Sequence, residues 1–202
     1  MTGPTHKKYC ILFAFIATIV LYELNITHIN YYLVLIIVLA ISKTGALFPD
    51  VDHTWSNVHD KTVPNKIINT IIHMTGGKHR SWQTHSIDIC AVFTIASYIL
   101  PHKLHEYGIL SALNTEVMCI IMLAFASGWI SHLFSDMLTS AGVRIVCFSK
   151  VILRLVPKKI GNFRFNTGNE WEKFNFNVID KINKVAGFIC VIYPFVADEI
   201  FK

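Results

Sequence analysis

Histidine and carboxylate side chains recur along the chain at spacings that suit the binding of a metal ion. They stand at His6 and in three short stretches, "LFPDVDH" (47–53), "KHRSWQTHS" (78–86) and "SHLFSDMLTSAG" (131–142). In the last stretch His132 and Asp136 are four residues apart, so on a helix they share one face, one turn apart. That spacing presents a nitrogen and an oxygen ligand to one ion. An interfacial histidine and an aspartate at a helix end would have the same spacing, so the pair alone leaves both interpretations open.

The other two stretches are equally ambiguous when taken singly. Asp50, Asp52 and His53 directly follow an apolar run that begins at Tyr31. Such groups mark either a helix end that emerges into water or a site. His79 and His85 bracket an arginine, and a lone loop histidine is usually a solvated side chain. The elements that hold these groups must therefore decide between the two readings.

The composition predicts a membrane protein of a single domain, residues 1–202. Hydrophobic residues make up 53% of the chain and charged residues only 15%, whereas an average soluble domain has roughly 25% charged residues. The mean hydropathy is +0.48. The five cysteines are spread out without a CxxC pair, which predicts reduced, buried thiols.

The fold class expected is all-α, a membrane-embedded bundle of four to five apolar helices. The apolar segments are Cys10–Leu24, Tyr31–Phe48, Ile87–Leu100, Val117–Phe134 and Val185–Phe201. A bilayer crossing takes about 20 residues, so the first and third segments cross only if flanks such as Tyr9 and Asp88 enter the interface. The last segment either crosses or lies on the surface.

The basic residues predict the direction of the helices. With the N-terminus in the cytoplasm and all five segments crossing, every one of the 18 lysines and arginines except Lys103 and Lys202 lies inside, which is a strong positive-inside bias. The basic stretch 150–164 is interleaved with apolar residues and is expected to be a helix against anionic lipid headgroups. We find no nucleic-acid signature. The four tryptophans, Trp55, Trp82, Trp129 and Trp171, are expected in an interfacial aromatic belt.

On this topology the candidate ligands gather at the cytoplasmic ends of different helices, where they form a metal centre facing the cytoplasm. They are His6, Asp50, Asp52, His53, His79, His85, His132 and Asp136. Imidazole with carboxylate suits Zn²⁺ or another divalent ion. Eight ligands are too many for one four-coordinate ion, so they predict two or three ions, or one ion with a dense outer shell. Metal-assisted hydrolysis is the natural chemistry, since such a site lowers the pKa of bound water and neutralises phosphate charge.

The order of these motifs resembles the YdjM-type family of inner-membrane, predicted metal-dependent hydrolases, which is also described as LexA-regulated. The resemblance implies a multi-pass protein of the bacterial inner membrane and a role in the DNA damage response. It implies a site at the eight candidate ligands and Arg80. The stretch "FNTGNEWEKF" (165–174) resembles the last family motif and points to Glu170. Lys78 and Ser81 replace two glycines of the family pattern, and Thr54 replaces a proline.

Two functions compete at this stage. The first is a phosphoester hydrolase for a small-molecule or lipid-linked substrate, in which Asp52 or Glu170 orients or deprotonates the water and Arg80 stabilises the phosphoryl oxygens. The second is a non-enzymatic membrane protein, a stress-response partner or regulator, whose metal only ties helix ends together. Arg80 and Glu170 discriminate the two, because a structural site needs neither. A metal transporter is disfavoured, since the ligands gather at one face. The oligomeric state is open.

Overall fold

Six α-helices account for most of the chain in a computed structural model, which describes residues 1–52, 63–75, 82–147 and 149–200. The helices are α1 (Gly3–Glu23), α2 (Tyr31–Leu47), α3 (Val63–Met74), α4 (Ile87–Glu106), α5 (Ala112–Met137) and α6 (Glu170–Ile200). A 3₁₀ helix, Phe48–Asp52, continues from α2. Asn30 and Ser111 cap α2 and α5 by accepting hydrogen bonds from backbone N–H groups of the first turn, which satisfies donors that have no partner within a helix.

Within the described residues, four helices have the length and apolarity to cross a membrane: Gly3–Glu23, Tyr31–Val51, Ile87–Glu106 and Ala112–Met137. The first apolar segment is the second part of a 21-residue helix, and the third is the first part of a 20-residue helix. In each case a more polar flank joins the helix. The predicted all-α membrane bundle is therefore confirmed. The five cysteines are free and buried, also as expected.

The last helix, α6, runs beside α1 through the length of the bundle. Near its start Glu172 bonds to Thr2, and Lys8 forms an ion pair with Asp180. Much further along, the carbonyl of Cys190 accepts a hydrogen bond of 2.9 Å from the hydroxyl of Tyr31, the first residue of α2. The apolar half of α6 thus extends to the end of the bundle opposite the start of α1.

The centre of the bundle is α5, which packs against α1, α2 and α4. Its closest contact is a seam with α2 at two glycines. A Cβ on Gly45 would lie 2.0 Å from the Phe125 carbonyl oxygen, and one on Gly128 would lie 2.0 Å from the Ser42 carbonyl oxygen. The two backbones touch, as small residues allow in membrane helices. This seam fixes the end of α2 against the end of α5.

The prediction of a helix over 150–164 is wrong. Of this stretch, the structure has β2 (Ile152–Leu153), which pairs antiparallel with β1 (Val143–Arg144), and a hairpin of β3 (Lys159–Ile160) with β4 (Phe163–Arg164). Gly161 and Asn162 form the two-residue loop, and Gly161 has a φ of 57°. A Gly-Asn pair between short strands is a hairpin signal, and Pro157 removes a helix donor.

Candidate metal centre

Four ligand atoms from three parts of the chain converge at one end of the bundle. The 3₁₀ helix supplies Asp50, the residues before α4 supply His85, and α5 supplies His132 and Asp136. The Nε2 atoms of His85 and His132 lie 3.3 Å apart. Nε2 of His132 is 3.8 Å from Oδ1 of Asp50 and 3.7 Å from Oδ2 of Asp136. Nε2 of His85 is 3.9 Å from each of the same two oxygens.

Asp50, His85 and His132 form a group whose ligand atoms could hold a metal ion. Zn²⁺ binds nitrogen and oxygen ligands at about 2.0–2.1 Å, and a tetrahedron of such bonds places the ligand atoms about 3.3 Å apart. The separation of the two histidine nitrogens, 3.3 Å, has that value, and each of these nitrogens lies 3.7–3.9 Å from the Asp50 and Asp136 oxygens. Two imidazoles with two carboxylates are the ligand types of zinc sites.

The orientation of His132 is fixed by a backbone carbonyl of α2. Its Nδ1 lies 2.7 Å from the Ala46 carbonyl oxygen, which can only accept a hydrogen bond. Nδ1 therefore carries the proton, and the lone pair of Nε2 faces the cluster. Metal-binding histidines are commonly held in this way by a second hydrogen bond. The α2–α5 seam brings Ala46 within reach.

His6 is oriented by the same device, with a serine of α5. The Ser135 hydroxyl donates to the His132 carbonyl oxygen at 2.8 Å, so its oxygen accepts the Nδ1 proton of His6 at 2.6 Å. Nε2 of His6 then lies 3.7 Å from Oδ1 of Asp136. The His6 ring stacks on His132 with a centroid separation of 3.8 Å. His6, His132 and Asp136 form a second group that could hold an ion.

Asp136 joins the two groups because each of its oxygens faces one of them. Oδ2 faces His85 and His132, and Oδ1 faces His6. The α-amino nitrogen of Met1 lies 2.6 Å from Oδ1, so a positive charge already contacts this carboxylate. The exposed fraction of each of three residues is 1% or less: His6, His132 and Asp136. Asp136 therefore links the two groups of residues that could hold a metal ion.

The remaining histidine, His85, is placed by a buried tryptophan. The Trp129 indole donates a hydrogen bond of 2.8 Å to the Thr84 carbonyl oxygen, and the Thr84 hydroxyl lies 2.9 Å from Nδ1 of His85. The prediction of Trp129 in an interfacial belt is wrong, because this side chain packs inside the bundle against Leu133 and Val143. The N–H of a buried indole usually has a hydrogen-bond acceptor. Here that acceptor is the carbonyl of Thr84, the residue before His85.

Asp50 is the most exposed of the four side chains in the cluster. Its side chain is 20% exposed, whereas those of His85, His132 and Asp136 are 3% exposed or less. Among the described residues, the cluster is buried on the side of α5 and partly exposed at Asp50. A site with one accessible side can admit water or a substrate group.

The structure brings together five of the residues that the sequence indicated: His6, Asp50, His85, His132 and Asp136. His53, His79 and Arg80 lie outside the described residues, as does the side chain of Asp52, the last residue of the 3₁₀ helix. Glu170 is not in the cluster. Its side chain is 76% exposed and pairs with Lys173 at 2.7 Å.

Three polar groups in and beside the cluster were not singled out from the sequence. Ser135 and the Ala46 carbonyl orient histidines, and Glu172 is a buried carboxylate against the first turn of α1. A signal for Glu172 was present, since Asn169 and Glu172 have the spacing of a capping box. A backbone carbonyl that accepts a hydrogen bond cannot be recognised from the type of its residue.

Comparison with known proteins identifies the family. A model of the family described as YdjM inner membrane protein matches residues 1–197. No curated protein and no solved structure matches the chain. The match spans the four membrane-crossing helices and every described residue of the cluster, in agreement with the resemblance of the motifs. This multi-pass chain therefore belongs to the YdjM inner membrane protein family.

Proposed function

We propose that this protein is an integral membrane hydrolase that uses a divalent metal, Zn²⁺ being the best match, to cleave a phosphoester at the cytoplasmic face. The observation that carries the proposal is the cluster of Asp50, His85, His132 and Asp136, with a histidine nitrogen aimed inward by a backbone carbonyl. A bound divalent ion would act as a Lewis acid and lower the pKa of a coordinated water.

The roles of the chain's own groups follow from their burial. His85, His132 and Asp136 are almost fully buried and serve as ligands, whereas Asp50 is partly exposed and stands at the entrance. Asp52 is the candidate general base, since it follows Asp50 by two residues in the sequence. Arg80 is the candidate for stabilising phosphoryl oxygens. The exposure of Glu170 and its pairing with Lys173 disfavour the base role that the motif suggested for it.

The location of the cluster favours a lipid-linked substrate. The ligands lie where membrane-crossing helices end, with His6 near the start of α1 and Asp136 near the end of α5. Helix ends of this kind lie near the level of lipid headgroups. A phosphate held there by a lipid tail would reach Asp50 without leaving the membrane surface. The positive-inside bias supports a cytoplasmic orientation of this end.

The alternative is a structural metal that ties α1, α2 and α5 together. The near-complete burial of His6, His132 and Asp136 favours it, because structural sites are closed. The exposure of Asp50 favours the hydrolase, since catalysis needs an open position. The two proposals therefore separate on substrate turnover and on Arg80→Ala.

The test combines metal content with turnover for purified protein in detergent. Elemental mass spectrometry is applied to the wild type, His132→Ala, and His105→Ala as a control that changes an exposed histidine outside the cluster. We expect at least one equivalent of divalent metal in the wild type and in His105→Ala, and its loss in His132→Ala. The same proteins are screened against phospholipids and isoprenoid phosphates.

Each outcome selects one account. Metal-dependent release of phosphate or of a headgroup, lost in His132→Ala and in Arg80→Ala, supports the hydrolase. Less than one equivalent of metal, unchanged in His132→Ala, contradicts any metal centre. Metal binding without turnover of any tested substrate, together with an Arg80→Ala variant that behaves as the wild type does, favours the structural alternative.

A further inference from the structure

A buried glutamate links the first turn of α6 to the first turn of α1. Glu172 is 5% exposed. Its Oε1 accepts hydrogen bonds from the Thr2 backbone N–H at 2.5 Å and from the Thr2 hydroxyl at 2.7 Å. Its Oε2 accepts the Gly168 N–H at 2.5 Å. One carboxylate of α6 thus accepts hydrogen bonds from the start of α1 and from the turn before α6.

The charge on Glu172 is stable where it lies. Burial favours the neutral carboxyl, but hydrogen bonds from Thr5, Thr2 and Gly168 outweigh it and hold the pKa below the ordinary value of 4.5. Hydrogen bonds to the charged form of a carboxyl lower its pKa. Glu172 is therefore ionised at neutral pH, and its bonds are charge-assisted.

The turn that Glu172 holds leads directly to the metal centre. The Thr2 carbonyl oxygen accepts the His6 backbone N–H at 3.0 Å, so Thr2 and His6 are joined by one helical turn. Met1 directly precedes Thr2, and its α-amino group contacts Asp136. A shift of this turn would move the His6 imidazole away from both Ser135 and Asp136.

We propose that Glu172 is a positioning residue of the metal centre, which acts by fixing the first turn of α1 so that His6 reaches Asp136. This inference rests on the proposed metal centre. Other contacts hold the two helices together further along: the Tyr9 hydroxyl donates to Asn175 at 3.1 Å, and the Asn183 amide donates to the Lys8 carbonyl oxygen at 2.8 Å. The α1–α6 pair should therefore persist without Glu172, and the effect should be local.

The chain offers a matched control two residues away. Glu170 is on the same helix turn but is exposed and pairs only with Lys173. In Glu172→Gln the shape is kept, but the charge is lost and an amide NH₂ faces N–H donors. In Glu170→Gln the same chemical change occurs at the surface. Any difference between the two variants reports the position of the carboxylate, not the loss of a charge.

The experiment measures Zn²⁺ affinity by competition with a chelator and the visible spectrum of the Co²⁺ form. Residues that orient metal ligands typically contribute 10–100-fold to affinity. We expect Glu172→Gln to weaken Zn²⁺ binding roughly 10-fold or more and to alter the Co²⁺ spectrum as His6→Ala does. Glu170→Gln should leave both unchanged.

A double variant separates positioning from a general loss of structure. If Glu172 acts through His6, Glu172→Gln combined with His6→Ala binds Zn²⁺ no more weakly than His6→Ala alone, because coupled sites are not additive. Additive losses, or equal losses in Glu170→Gln, would overturn the inference.

The experiment also distinguishes the absence of a metal centre from the absence of positioning by Glu172. If the wild type binds no Zn²⁺ or Co²⁺, the proposed function fails. The link is then tested in the metal-free protein by hydrogen exchange of the His6 amide, which donates to Thr2. Faster exchange in Glu172→Gln but not in Glu170→Gln supports the positioning of α1, and equal exchange in both overturns it.

Discussion

The two halves of α5 are built on different principles although they belong to one helix. In residues 112–124 the buried side chains are Thr115, Cys119, Ile120 and Ala124, which lie on one side. In residues 125–137 burial extends around the helix: Ala126, Ser127, Gly128, Trp129, Ser131, His132, Leu133, Ser135 and Asp136. The first half presents most of its surface outward, whereas the second is enclosed by the protein except at Ile130.

The difference separates a region that depends on apolar packing from one that depends on specific hydrogen-bond partners. Ile120 and Ala124 pack in an apolar cluster with Leu21, Val34 and Val38, where any well-shaped apolar side chain contributes. In the second half each buried polar group has a definite partner, such as Ser135 with His6. A change in the first half should therefore reduce stability alone, and a change in the second should reduce metal binding.

The largest loss of metal binding is expected for Asp136→Asn. The carboxylate contributes an oxygen to each group of ligands, and an amide cannot neutralise a divalent ion. We expect loss of bound metal beyond the 10–100-fold range typical of groups that only orient ligands. Elemental mass spectrometry of the purified variant measures this. Full metal occupancy in Asp136→Asn would show that the enclosed half of α5 is not a metal site.

The next largest effect is expected for Gly128→Ala. The added Cβ would meet the Ser42 carbonyl oxygen at 2.0 Å, so α2 and α5 must separate and the Ala46 carbonyl must withdraw from His132. Overpacking of this kind destabilises by about 1–3 kcal/mol. The thermal midpoint and the Zn²⁺ affinity should both fall.

The control for this variant is Gly187→Ala on α6. There the added Cβ meets only the tip of the Phe15 ring, at 3.2 Å, and a ring can move. Equal effects of the two variants would contradict the assignment of the seam as the element that positions His132.

A smaller loss is expected for Ser135→Ala, which removes the acceptor that orients His6. Zn²⁺ affinity should fall roughly 10-fold, at the lower end of the range for such groups, because the direct ligands remain. Ser97→Ala is the matched control, since Ser97 is also fully buried but donates only to the Phe93 carbonyl oxygen of its own helix. Chelator competition compares them, and a similar affinity in both variants would contradict a role for Ser135.

No loss of metal is expected for Ile120→Ala in the first half of α5. Truncation of a fully buried isoleucine should destabilise the fold by about 2–5 kcal/mol, while the cluster at the other end of the helix is unchanged. Thermal unfolding and elemental analysis of the folded fraction measure the two effects. Loss of metal from folded Ile120→Ala would show that the two halves are coupled.

The same contrast explains what the sequence could predict. The apolar segments predicted the bundle, because hydrophobicity over a membrane length is a strong signal. The spacing of His132 and Asp136 predicted a shared helix face, and the structure places both in one cluster. These inferences depend only on residue type and on helical geometry.

Other features depended on contacts that residue types do not encode. The Ala46 carbonyl orients His132 only because two glycines let α2 and α5 touch. Glu170 and Glu172 are indistinguishable by type, and the difference is that one faces water and the other faces Thr2. The basic stretch 150–164 was predicted as a helix from composition, and its hairpin loop at Gly161 was overlooked.

X-ray absorption at the zinc edge of the zinc-loaded protein tests the central claim most directly. The account predicts nitrogen and oxygen ligands at about 2.0–2.1 Å, with the outer-shell scattering of at least two imidazoles, reduced in His85→Ala. A sulfur shell at about 2.3 Å, or a shell without imidazole, would contradict it.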